Sequence, residues 1–125
     1  MRVADAGVLV GVLVGDLAPD VLGDEELAVP HLVDSEVTHA LRRLARQGHL
    51  SDDDATAAME GFVRLRLTRF PADWLRARMW ALRHSLSAYD ATYVALAEAL
   101  SATSLLTTDA RLAVAPGIGC VVDVL

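Results

Sequence analysis

Short apolar segments alternate with longer amphipathic ones along the whole chain, and this alternation restricts the fold more than any other feature of the sequence. Val3-Ala4, Leu27 to Val29, Leu65 to Phe70, Ser104 to Thr107 and Gly119 to Val122 read as short strands. Helical stretches separate them: Ala6 to Val14, His31 to Gln47, a helix opening at Ser51, Ala72 to Ser85, Ser87 to Leu100, and Asp109 to Val114. Strands joined through helices pair in parallel, so the pattern predicts an α/β fold: three α/β/α layers around a mainly parallel central sheet. A chain of 125 residues can bury a real core, and no linker, repeat or low-complexity tract divides it. Residues 1–125 are therefore expected to form a single domain.

The helices have legible ends and faces. Pro30 stands where helices begin, Val33, Val37, Ala40, Leu41 and Leu44 form one stripe, and Gly48 closes it. Ala55, Ala58, Met59, Phe62 and Val63 are expected inward in the next helix. Pro71 stops the strand before it, and Trp74, Leu75, Met79 and Leu82 are expected inward over Ala72 to Ser85. Trp80 is assigned mostly to the core with Trp74 and Met79, and an exposed member of that set would suggest a dimer or partner-protein groove. In the segment "SLSAYDATYVALAEAL", Tyr89, Tyr93, Val94, Leu96, Ala97 and Leu100 suit a buried helix, and Asp90 does not.

Several function classes drop out. The apolar run Val8 to Val14, between Asp5 and Asp16, is far too short to span a bilayer. Arg2 and Asp5 also spoil a signal peptide. Cys120 is the single cysteine. It cannot form an internal disulfide, no Cys/His metal spacing exists, and a reducing cytoplasm is the expected compartment. The net charge of −6 argues weakly against nucleic-acid binding. Its distribution argues otherwise. From Arg42 to Arg83 there are nine arginines against five carboxylates, while the rest holds two arginines and twelve carboxylates. Every Lys/Arg position is Arg, whose guanidinium suits phosphates and carboxylates.

Four acids fall at corresponding places in the pattern. Asp5 ends the first strand, Glu36 lies in the first turns of the helix after Leu27–Val29, Asp90 opens its helix, and Asp109 follows "SLLTT". In a parallel sheet the carboxyl ends of the strands and the starts of the following helices share one rim, where such folds place their sites. Each acid also has a purely structural role available. Asp5 and Asp109 suit helix N-caps, and Ser87-Ala88-Tyr89-Asp90 resembles a capping box. Glu36 and Asp34 flank the apolar stripe on opposite edges, and periodicity does not choose between them. Asp52-Asp53-Asp54 reads as a solvated helix start favoured by the dipole. Asp90 is harder to set aside, because the residues one turn on, Val94 and Ala97, face the core. A carboxylate there must be paired, neutralised or metal-bound. Carboxylates sharing one rim raise each other's pKa unless a cation sits among them, and oxygen ligands suit Mg²⁺ or Mn²⁺. Such ions serve phosphodiester hydrolysis.

The stretches "VADAGVLV", "PHLVDSEVTHALRR", "LSAYDATYVALAEAL" and "LLTTDARLA" together resemble the PIN-domain endoribonucleases, specifically VapC-type toxins of bacterial toxin–antitoxin pairs. The resemblance runs over essentially the whole chain. It implies Asp5, Glu36, Asp90 and Asp109 as the acidic cluster, with Asp5, Asp90 and Asp109 on the metal, and it picks Glu36 over Asp34. It implies Thr107 as a hydroxyl that orients a ligand, and Arg111 as a structural or substrate-contacting residue. The implied activity is Mg²⁺- or Mn²⁺-dependent cleavage of RNA, restrained by a cognate antitoxin, in a homodimer with no membrane partner. Arg42, Arg43, Arg46 and Arg83 are candidates for contact with RNA or with the antitoxin. Gly7 departs from the family, which often has Ser, Thr or Asn there. Two rivals remain: a PIN-like module that only binds a partner, and a receiver-type signalling domain, which the absence of lysine disfavours.

Overall fold

The computed structural model describes all 125 residues. Five strands, β1 (Arg2–Ala4), β2 (Leu27–Pro30), β3 (Thr68–Phe70), β4 (Leu105–Thr107) and β5 (Val122–Val124), form one sheet in the order β3-β2-β1-β4-β5. All four pairings are parallel. The helices are α1 (Ala6–Leu13), α2 (Leu32–Arg46), α3 (Asp52–Arg64), α4 (Arg76–Ala81), α5 (Ala88–Ala99) and α6 (Ala110–Ala113), with 3₁₀ turns at Pro19–Leu22 and Asp73–Leu75. None of the helices is long and apolar enough to cross a membrane.

The period-2 alternation of the central strands sorts their side chains into two cores. Ala4, Val29 and Leu106 pack with α1, α2 and α3, whereas Val3, Ala28 and Leu105 pack with α5 and with Leu75, Leu82 and Leu112. The three-layer α/β/α architecture with a parallel sheet is thus the one the sequence predicts. The chain builds outward from β1 through β2 to β3, then returns to the other side of β1 for β4 and β5. The order therefore reverses between β1 and β4, and the carboxyl ends of those strands open a crevice at the switch point. Asp5 and Asp109 follow these two strands.

Some sequence expectations need correction. Ala72 to Ser85 is not one helix: a 3₁₀ turn and the six-residue α4 replace it. Local side chains take up backbone carbonyls there. Trp74 Nε1 donates to the Pro71 carbonyl, Arg76 Nε to that of Asp73, and Arg83 Nη1 to that of Trp80. Leu75 and Leu82 are inward as expected, but Trp74 is 50% and Trp80 68% exposed, and Val63 of α3, about 100° round the helix from the buried Phe62, is 77% exposed instead of inward. Trp80 lies two residues from Leu82, about 200° round a helix, so the two cannot share a face. Tyr89 is also exposed, at 62%, because continuous burial in α5 begins only at Ala91. Its first turn projects past the sheet. β3 starts at Thr68 because α3 runs on to Arg64 and Leu65 caps it. β5 starts later than expected because the Gly119 amide donates to Glu98 Oε1 instead of joining the sheet ladder.

Candidate active site

Asp5 leaves β1 and caps α1, with Oδ1 accepting from the Val8 amide at 2.9 Å. Its other oxygen, Oδ2, accepts from Thr107 Oγ1 at 2.5 Å. The Thr107 hydroxyl in turn accepts from the Asp109 amide at 3.0 Å. Thr107 is fully buried on the last residue of β4. One hydroxyl therefore ties the ends of the two strands that flank the switch point. Asp109 caps α6 through the Arg111 amide, and the Arg111 guanidinium grips both of its oxygens, with Nη2 to Oδ2 at 2.8 Å. The capping roles of Asp5 and Asp109 are real, and Thr107 and Arg111 take up their remaining oxygens.

Glu36 and Asp34 part company in the structure. Arg69 of β3 holds Asp34 with a two-pronged contact at 2.7 and 2.8 Å, which draws it to the sheet edge. Glu36 turns inward, and Oε1 accepts from the buried Tyr93 hydroxyl at 2.5 Å. Asp90 lies three residues before Tyr93 on α5, so both project from neighbouring positions on one face. The Asp90 amide donates to Ser87 Oγ at 3.2 Å, and the Ser87 hydroxyl also lowers the pKa of the Asp90 carboxyl, which no salt bridge holds. The side chain is half-buried at the mouth of a pocket of about 330 Å³ lined by Ser87, Asp109 and Arg111, among others.

The electrostatics mark these acids out. Burial raises Asp5 above the ordinary carboxylate range, and the charges of Asp90 and Asp109 push it the same way against its hydrogen bonds. Burial likewise raises Glu36, with Asp5 and Asp90 adding to the effect. Burial first and Asp109 second raise Asp90. Asp109 moves the other way, because the Arg111 guanidinium stabilises its charge. Tyr93 is driven far upward by burial and by Glu36, so its hydroxyl stays a donor. Burial is the main cause in the three raised acids, and the nearby carboxylates add to it.

A family model described as "PIN domain" matches residues 3–118. The chain belongs to the PIN-domain family. Among PIN proteins it is 47% identical over 113 residues to ribonuclease VapC9 of Mycobacterium tuberculosis, covering 90% of this chain and 88% of the relative. It is 42% identical over 124 residues to ribonuclease VapC1 of the same species, covering 94% and 92%. This PIN domain is thus a member of the VapC ribonucleases. Among solved structures it resembles M. tuberculosis VapC20, a sarcin–ricin loop cleaving toxin, with TM-score 0.67 and 16% identity over 95% of this chain and 97% of that one. It also resembles a chain of a toxin–antitoxin complex from Klebsiella pneumoniae, with TM-score 0.64 and 18% identity over 98% and 97%. At those identities the likeness is one of fold.

The donor set of this PIN domain fits a hard divalent cation in chemistry and sign, since oxygen carboxylates held above their usual pKa gain from added positive charge. No three acidic, His or Cys side chains stand close enough as placed to hold one ion between them. Arg111 already occupies Asp109. Seating an ion would require Asp109 to loosen that clamp. Gly7 has a structural explanation: a Cβ there would lie 2.8 Å from Thr108 Oγ1 and 3.4 Å from Asp5 Oδ1. The space a side chain would use is filled from the β4–α6 junction. Sequence reasoning missed Tyr93 as the partner of Glu36 and read it as core. Its offset of three from Asp90 was the available signal. Arg42, Arg43 and Arg46 are exposed on α2. The acid run Asp52–Asp54 is exposed, with Ser51 capping α3, as the sequence predicts.

Proposed function

We propose that the protein is a metal-dependent endoribonuclease toxin that hydrolyses RNA phosphodiester bonds at Asp5, Glu36, Asp90 and Asp109, under the restraint of a cognate antitoxin. The observation that carries the reading is the gathering of Asp5, Glu36 and Asp90 at the switch point, each raised first by burial and then by a neighbouring carboxylate, in a chain with 47% identity to a VapC ribonuclease. Asp5, Asp90 and Asp109 would hold Mg²⁺ or Mn²⁺. When bound, such an ion lowers the pKa of a water and neutralises charge on the phosphate. Thr107 fixes the Asp5 carboxylate, Tyr93 fixes that of Glu36, and Glu36 orients the attacking water. Arg111 holds Asp109 in the absence of metal and offers a guanidinium to the substrate phosphate once released. The structural likeness to a chain of a toxin–antitoxin complex supports the antitoxin partner. A homodimer is part of the same reading, and sedimentation should give a species of twice the 13.4 kDa chain.

The test is cleavage of end-labelled total RNA by the purified protein in Mg²⁺, Mn²⁺ or EDTA, beside the Asp90→Asn variant. Discrete fragments that need metal and vanish in the variant are expected. Intact RNA in every lane, with folded protein, would leave a binding module as the better reading.

A further inference from the structure

Outside the acidic crevice, the largest unexplained feature is an indole in solvent. Trp80 ends α4 and is 68% exposed. An indole carries a large apolar surface that folding normally buries, so its position outside the core needs a reason. The Arg83 guanidinium lies over the ring, 4.4 Å from its centroid, and Arg83 Nη1 is fixed to the Trp80 carbonyl at 2.9 Å. With one face covered and most of the residue still exposed, the other face is open. Trp80, Arg83, Arg76 and Met79 line a groove of about 520 Å³. Leu86 and Ser87 line both this groove and the pocket holding Asp90 and Asp109, so the two adjoin.

We propose that Trp80, backed by Arg83, stacks an unpaired base of the RNA strand whose phosphodiester lies at the acidic pocket. This rests on the endoribonuclease reading above and adds a base-stacking contact outside the acidic pocket. Three observations select RNA as the occupant. The groove adjoins the acidic pocket across Leu86 and Ser87, within reach of a strand positioned there. Its charged residues are both arginines, whose sign matches a phosphate backbone. A rigid open indole offers the stacking platform that unpaired bases use, and a paired duplex hides the faces it would need.

The test uses the Asp90→Asn protein, to bind without cutting, with Trp74→Phe so that Trp80 is the sole indole of the two in the chain. An unpaired oligoribonucleotide of about a dozen nucleotides should quench its emission saturably, and the same sequence as a duplex should not. Trp80→Ala should weaken binding about 5- to 150-fold, the equivalent of losing one stacked base, and Trp80→Phe should restore most of it. In cleavage by protein altered only at position 80, KM should rise and kcat should hold. Native binding and KM in Trp80→Ala would overturn the proposal while leaving the nuclease intact. So would equal quenching by duplex. If Trp80→Ala instead turned a dimer into a monomer or released a protein partner with RNA affinity unchanged, the groove would be a protein contact and the proposal would fall. Failure of the native protein to bind or cut any RNA would sink the endoribonuclease reading and this inference together.

Discussion

Two helices of this protein begin with the same device. Ser51 caps α3 by accepting from the Asp54 amide at 3.0 Å, and Ser87 caps α5 by accepting from the Asp90 amide at 3.2 Å. Both read Ser-x-x-Asp. At α3 the three aspartates after the serine are exposed, where acids favour the positive end of the helix dipole and do little else. At α5 the aspartate is half-buried beside a pocket that Asp109 also lines, and its pKa is raised. The local sequence is nearly the same and the chemistry is not. What separates them is the place of each helix start: α5 opens where β1 and β4 end, and α3 opens away from that rim. A short motif sets the cap, and the sheet order sets the electric environment of its carboxylate.

The largest expected effect comes from neutralising each aspartate in turn. Asp90→Asn should lower RNA cleavage by about a hundredfold or more, the scale of several kcal/mol of metal-assisted charge stabilisation, whereas Asp54→Asn should leave the rate within about twofold. The same Asp90→Asn change should raise the Tm of metal-free protein, because it relieves repulsion from Asp109. Screening of this half-exposed group limits the gain to about 1–2 °C. Equal loss of activity in both variants would erase the distinction between the two helix starts.

Tyr93→Phe should come next. It strips Glu36 of its buried donor, and cleavage should fall about tenfold, as for the loss of a group that orients a ligand. Thermal unfolding should show a loss of about 1 kcal/mol. Because Asp5, Glu36 and Asp90 are all held above the ordinary carboxylate range, activity should climb along an acid limb that lies above that range. Stability of the metal-free protein should run the other way. Between the ordinary and raised values the folded state holds more protons than the unfolded chain, so stability falls as pH rises through that window. A pH–rate profile and pH-dependent melting check the two slopes.

Arg111→Ala frees Asp109 and removes a positive charge from the crevice. The midpoint for Mn²⁺ binding, followed by calorimetry, should drop several-fold, in line with the size of a partly screened ion pair. The smallest effects sharpen the comparison most. Ser51→Ala and Ser87→Ala should each cost about 1 kcal/mol of stability, as lost N-caps do. Only Ser87→Ala should move the acid limb of activity to higher pH, because the Ser87 hydrogen bond lowers the Asp90 pKa.

Much of this protein is written in its order of residues. Alternating strand and helix signals dictate a parallel three-layer fold, because chain connectivity and backbone hydrogen bonding leave short strands separated by helices few other ways to pair. The positions of Asp5, Asp90 and Asp109 just past strands or at helix starts put them on one rim for the same reason. The α5 sequence is legible as a buried helix since its apolar residues surround it almost entirely. Other features depend on contacts between distant segments. Asp34 and Glu36 are equivalent by periodicity, and only Arg69 from β3 and Tyr93 from α5 separate them. The break before α4 and the exposure of Trp74, Trp80 and Tyr89 follow from where local side-chain bonds stop a helix and where the sheet ends. The space over Gly7 is decided by Thr108, 101 residues away along the chain. Sequence by itself determines which backbone segments can hydrogen-bond to themselves and which must pair. Tertiary structure alone decides which carboxylates are left facing each other, because burial and like charge act through space and are blind to distance along the chain.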